Sequence, residues 1–156
     1  QVYMLPQYSM MNKFHLVDTH TGYVLMQSFT AFGVFLMRQF FMSLPNELLE
    51  AGRIDGLSEY GNYFRIALPL SKPSIATMTI FSFVAIWNDY MGPLIYFNST
   101  SKKTIQLGIK MFIGQYSTEY GLVMAASVLS LIPVLIIFLG GQKFFVQGIA
   151  SSGIKG

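Results

Sequence analysis

The chain has 156 residues, 53% hydrophobic and 11% charged, with a formal net charge of +3 and no cysteine. Soluble domains carry about 25% charged residues, because a water-facing surface needs them and a lipid-facing surface cannot hold them. An ordinary soluble domain is thus excluded, as are disulfides and thiolate metal sites. With no basic run longer than Lys102-Lys103, so is a nucleic-acid partner.

In chain order, Gln1-Val2-Tyr3-Met4 shows neither an initiator Met nor a signal-peptide pattern. The chain is therefore expected to be a fragment that begins inside a longer protein. Residues 1–17 are apolar but broken by Pro6, Asn12, Lys13 and His15, which fits the tail of a truncated span or an interfacial helix. Asp18 to Gly22 reads as a turn. A first bilayer-length stretch runs from about Gly22 to Met42, with Arg38 as its one charge, near its end where the guanidinium can reach an interface.

Residues 43–72 form a polar connector. Ser43 is expected to cap a helix, Pro45 to sit in its first turn and Glu47 to complement its dipole, with Asp55-Gly56 as the stop. Ser58 is expected to cap a second helix running to Leu68, ended by Pro69. Its positions Tyr60, Tyr63, Phe64, Ala67 and Leu68 share one face at helical spacing. Such a helix–turn–helix suits docking into a groove on a soluble partner. It equally suits an interfacial hairpin lying on lipid headgroups.

A second span is expected over 73–97, with Asp89 as its one charge, then a connector over 98–119. A third span over 120–142 carries no charge and contains Pro133, which should kink it. The tail 143–156 is Gly- and Ser-rich and expected to be flexible. Arg38, Arg53, Arg65, Lys72, Lys143 and Lys155 fall on the side of the 43–72 connector, against Lys13, Lys102, Lys103 and Lys110 on the other. This bias places 43–72 in the cytoplasm and 98–119 outside.

Glu50-Ala51-Gly52, three residues, Gly56, nine residues, then Ile66-x-Leu68-Pro69 resembles the EAA signature of permease subunits in ATP-binding-cassette (ABC) importers. Gly52 departs from it, since Ala is usual at that position. The flanks, Phe35 to Phe41, Ala51 to Gly56, Leu68 to Pro73, Trp87 to Tyr90 and Gly153 to Gly156, resemble the carbohydrate-uptake, maltose-type branch. The resemblance covers essentially the whole chain. It implies an all-α, polytopic transmembrane helix bundle of the type I importer, MetI-like fold, with a cytoplasmic coupling loop, in a bacterial or archaeal plasma membrane.

The resemblance also implies partners: cytoplasmic ABC ATPase subunits that grip the EAA loop, a second permease subunit, and an extracytoplasmic solute-binding protein. The substrate implied is a sugar or oligosaccharide. The ATPase-coupling residues implied are Leu49, Glu50, Ala51, Gly52, Ile54, Asp55, Gly56, Ile66, Leu68 and Pro69. Glu50 is expected to pair with a basic residue of the ATPase, while Leu49, Ala51 and Ile54 fill its groove. Trp87, Asn88 and Asp89 are expected either to line the solute path or to pack helices. Lys102-Lys103-Thr104 and 105–113 are expected to face the solute-binding protein.

No phosphate-binding loop of the G-x-x-x-x-G-K-[ST] type occurs, because Gly140-Gly141-Gln142-Lys143 lacks its spacing and hydroxyl residue. ATP hydrolysis is therefore expected in partner subunits. His15 and His20 sit in no triad or metal set, so no catalytic, cofactor or metal role is expected. Two alternatives stay open: an importer permease for another solute class (amino acid, peptide or phosphonate), and a membrane adaptor without transport.

Overall fold

The computed structural model describes residues 3–113 and 119–153, with side chains to Gln142. Its helices are α1 (Met4–Lys13), α2 (His20–Gln27), α3 (Ala31–Ser43), α4 (Asn46–Ile54), α5 (Glu59–Leu70), α6 (Lys72–Trp87), α7 (Met91–Tyr96), α8 (Ile105–Met111) and α9 (Tyr120–Gly153). The described residues fall into two compact units, 1–29 with 84–136, and 30–83 with 137–156.

In the first unit, Met11, Tyr23, Tyr96 and Phe97 are buried together, with Leu16, Val17, Met26 and Ile95 packed on them. The link from α1 to α2 is tight. His15 and Asp18 take left-handed φ values of 54 and 58, and Thr19 caps α2 by accepting from the Gly22 N–H at 3.1 Å. The Asp18 carboxylate accepts from the Asn98 N–H at 3.0 Å, the Ser99 N–H at 3.1 Å, the Ser99 hydroxyl and the Lys102 ammonium at 3.2 Å. Lys102 also donates to the Asp18 carbonyl. These bonds, the Ser99 hydroxyl first, hold the Asp18 carboxyl well below the usual carboxylate range, against the opposing effect of its partial burial.

In the second unit, α3 and α6 meet through Phe32 and Phe81, whose rings lie 5.4 Å apart at 71°. Gly141 of α9 is buried against α6: a Cβ there would stand 2.2 Å from Ile80 Cδ1.

Several helix boundaries differ from the sequence reading, each for a local reason. The expected single stretch over 22–42 is two helices, because Thr30 adopts extended backbone and caps α3, accepting from the Gly33 N–H at 3.0 Å. Ser43 ends α3 rather than capping α4. Its hydroxyl donates to the Phe40 carbonyl at 2.7 Å, and Pro45 occupies the cap position of α4. The stretch over 73–97 breaks at Asn88–Tyr90. Pro93 has no N–H to offer the Asp89 carbonyl, and Asp89 Oδ1 accepts from the Gly92 N–H at 3.1 Å instead.

Pro69 does not end α5. A π turn over Tyr63–Ala67 widens the helix where the proline ring would otherwise meet the Arg65 carbonyl, and α5 continues to Leu70. The tail expected to be flexible from 143 continues α9 to Gly153, with 154–156 outside the described residues. Residues 114–118 of the 98–119 connector also lie outside them. Among the described residues, Tyr120–Gln142 is one helix long and apolar enough to cross a membrane, at 23 residues and a mean hydropathy of 2.8. The pairs α2 with α3 and α5 with α6 reach that length only when each is taken as a broken span.

Candidate functional site

The α4–α5 knuckle gathers most of the residues singled out by sequence. Its turn is a Schellman motif: the Gly56 N–H donates to the Arg53 carbonyl at 3.0 Å and the Leu57 N–H to the Gly52 carbonyl at 2.9 Å. The motif needs a left-handed residue after the helix, and Gly56 supplies it at φ +82. Ser58 then caps α5 by accepting from the Gly61 N–H at 3.2 Å. Arg53 Nε donates to Glu59 Oε1 at 2.8 Å across the turn, and this contact raises the Arg53 pKa. Both side chains are largely exposed, so the pair ties the turn only loosely.

The two faces of α4 differ. Glu47, Glu50, Ala51 and Ile54 are exposed, with Ile54 at 86%. Their i, i+3, i+4, i+7 spacing puts them on one stripe. Leu49 is half-buried and Gly52 is buried toward α5. Asp55 is exposed and forms the end of α4, its N–H donating to the Ala51 carbonyl at 2.9 Å.

The aromatic residues of α5 do not make its contact with α4. Tyr60, Tyr63 and Phe64 are exposed at 80%, 42% and 60%. The contact is made by Asn62 and Ile66. Asn62 is 2% exposed, and its Nδ2 donates to the Leu49 carbonyl at 3.0 Å. Gly52 therefore serves the packing of these two helices. A Cβ there would stand 2.0 Å from Asn62 Oδ1 and 2.7 Å from Ile66 Cδ1. Sequence reasoning missed Asn62, although the Gly at 52 was a signal that something else fills that space. Leu68 is half-buried in α5, and Pro69 is exposed.

Trp87, Asn88 and Asp89 cluster at the end of α6. Tyr23 Oη donates to Asp89 Oδ2 at 2.6 Å, and Gln27 Nε2 donates to the same oxygen at 3.3 Å and to Tyr23 Oη at 3.2 Å. Trp87 Nε1 donates to the Ser130 carbonyl at 3.0 Å, within the turn of α9 that Pro133 deprives of an N–H. Asn88 Nδ2 turns back to the Val84 carbonyl at 2.9 Å. Tyr23 and Gln27 were not anticipated as partners of Asp89, since they lie over sixty residues away in sequence. Among the described residues no group of His, Cys, Asp and Glu could hold a metal ion.

Residues 2–151 match the family described as "Binding-protein-dependent transport system inner membrane component". The arabinooligosaccharides transport system permease protein AraQ of Halalkalibacterium halodurans is 36% identical over 156 residues, covering 100% of this chain and 56% of that protein. The sn-glycerol-3-phosphate transport system permease protein UgpE of Pectobacterium atrosepticum is 38% identical over 154 residues, covering 97% of this chain and 55% of that protein. The chain thus spans little more than half the length of these curated relatives. A crystal structure of a bacterial ABC transporter involved in the import of the acidic polysaccharide alginate superposes with a TM-score of 0.80 at 28% identity, over 91% of this chain and 56% of that one.

Proposed function

The chain belongs to the family of binding-protein-dependent transport system inner membrane components, and from that premise we propose that it is part of a multi-pass permease subunit of an ABC importer for a sugar or oligosaccharide. Transport, in this reading, is driven by ATP hydrolysis in separate cytoplasmic subunits. A second permease subunit completes the pathway, and an extracytoplasmic solute-binding protein delivers the substrate. The relatives named for arabinooligosaccharides and the transporter named for alginate support the carbohydrate class.

The observation that carries the coupling role is the exposed stripe of α4, held on a capped turn. A short helix offering Glu47, Glu50, Ala51 and Ile54 at groove-binding spacing presents two carboxylates beside a largely exposed isoleucine. Ile54 enters an apolar groove on the ATPase, and Glu50 pairs with a basic residue at its rim. The signature residues Gly52, Gly56 and Ile66 shape the knuckle, while Leu68 and Pro69 lie along α5 where it leads toward α6. Asp89 serves helix packing rather than solute contact, because both its carboxylate oxygens are engaged by Tyr23, Gln27 and the Gly92 N–H.

Charge reversal at Glu50 tests the reading. In the full transporter reconstituted in proteoliposomes, Glu50→Lys should lower solute uptake per ATP hydrolysed by roughly tenfold or more. That corresponds to losing a charge-assisted contact of about 1.5–3 kcal/mol. The permease should still assemble in the membrane at normal levels. Normal coupled uptake in this variant would refute the role.

A further inference from the structure

Gly inside a helix is about 1 kcal/mol less favourable than Ala, so Gly52 in a nine-residue helix needs a reason. We propose that Gly52 and Asn62 form a matched pair that fixes the α4 stripe on α5, making Asn62 a positioning residue for coupling. This rests on the reading of α4 as the ATPase-docking helix.

The geometry leaves Asn62 one way to sit. Its Nδ2 faces the Leu49 carbonyl at 3.0 Å, and turning the amide over would set two carbonyl oxygens against each other. Oδ1 must then point toward Gly52, where it is buried without a hydrogen-bond partner among the described residues. The space that a Cβ at 52 would take is thus already occupied by Asn62 Oδ1 and Ile66 Cδ1. Asn62 cannot swing clear, since it is 2% exposed and its backbone is held within α5. The Leu49 carbonyl lies one residue before Glu50, so the Asn62 bond sets how Glu50 and Ala51 are presented. Alanine, the residue usual in the signature and the better helix former, is therefore the wrong residue at 52 as long as Asn62 stays.

The test is a double-mutant cycle with Gly52→Ala, Asn62→Ala and the two together, read at two levels. In the full-length permease assembled with its partner permease but without ATPases, hydrogen exchange over 46–66 reports the knuckle alone. Gly52→Ala should speed exchange there about tenfold, Asn62→Ala several-fold, and the double variant should be slower than either single, because the smaller side chain at 62 makes room for the methyl group. In the complete transporter, uptake per ATP should follow the same order while the amount of assembled complex stays near wild type. Gly52→Ala exchanging like wild type, or a double variant no slower than Gly52→Ala, would overturn the pairing. Unchanged uptake per ATP with only the yield of complex reduced would overturn the positioning role. Should Gly52→Ala fail to assemble, Asn62→Ala, which adds no atoms, carries the coupling measurement alone. Because the exchange cycle needs no ATPase, a failure of docking shows separately, as ATPase subunits that do not co-purify with the wild-type permease.

Discussion

Replacing Gly56 by alanine isolates the backbone contribution to the α4–α5 turn. Beyond its two chain neighbours, no atom lies within 4 Å of where the new Cβ would stand, so packing does not enter. What remains is the left-handed conformation at φ +82, which is unfavourable for an L-residue with a Cβ by roughly 1–2 kcal/mol. The two Schellman bonds, from Gly56 to Arg53 and from Leu57 to Gly52, hold the residue there, so the strain appears as easier opening of the turn. A 1–2 kcal/mol shift is about a 5- to 30-fold change in an opening equilibrium. Hydrogen exchange of the Gly56 and Leu57 amides in the assembled permease should accelerate by that factor in Gly56→Ala. Asparagine visits the left-handed region several-fold more readily than most residues, so Gly56→Asn should recover part of the loss. Equal exchange in Gly56→Ala and wild type, or Gly56→Asn exchanging no slower than Gly56→Ala, would refute the argument.

The Asp18 latch is pH-dependent in a definite direction. Its folded carboxyl is depressed, so its stabilising contribution is complete above the unfolded value of about 3.9 and falls away as pH drops through the folded value below it. Protection factors of the Asn98 and Ser99 amides should therefore hold at neutral pH and decline in strong acid, and Asp18→Ala should remove that decline by lowering them at every pH. The Asp89 cluster makes a second prediction. Tyr23→Phe deletes the 2.6 Å bond and should lower stability by about 1.5–3 kcal/mol, read as a lower midpoint of thermal unfolding in detergent. If the cluster packs helices, solute affinity of the assembled transporter should stay unchanged in the same variant; a large affinity loss at unchanged stability would return Asp89 to the solute path.

Much of the knuckle was legible because its signals are local. The Gly56 stop, the Ser58 cap and Glu47 in the first turn each act within a few residues. The long apolar helix at 120–142 was legible for the same kind of reason, since hydropathy summed over a window needs no knowledge of neighbours. That averaging also hid the breaks at Ser28–Thr30 and Asn88–Tyr90. A single hydroxyl or carboxylate barely changes a window, yet it captures a backbone N–H and starts a new helix.

By itself, then, the sequence determined a membrane composition, the spacing of the signature residues in the α4–α5 knuckle and the turn between its helices, because those depend on residue type and short-range backbone preference. Tertiary structure alone decided why position 52 carries Gly, which face of α5 meets α4, and that Asp89 is held by Tyr23 and Gln27. Those outcomes turn on which side chains from distant parts of the chain occupy the same few cubic ångströms, and close packing leaves each such space to one occupant.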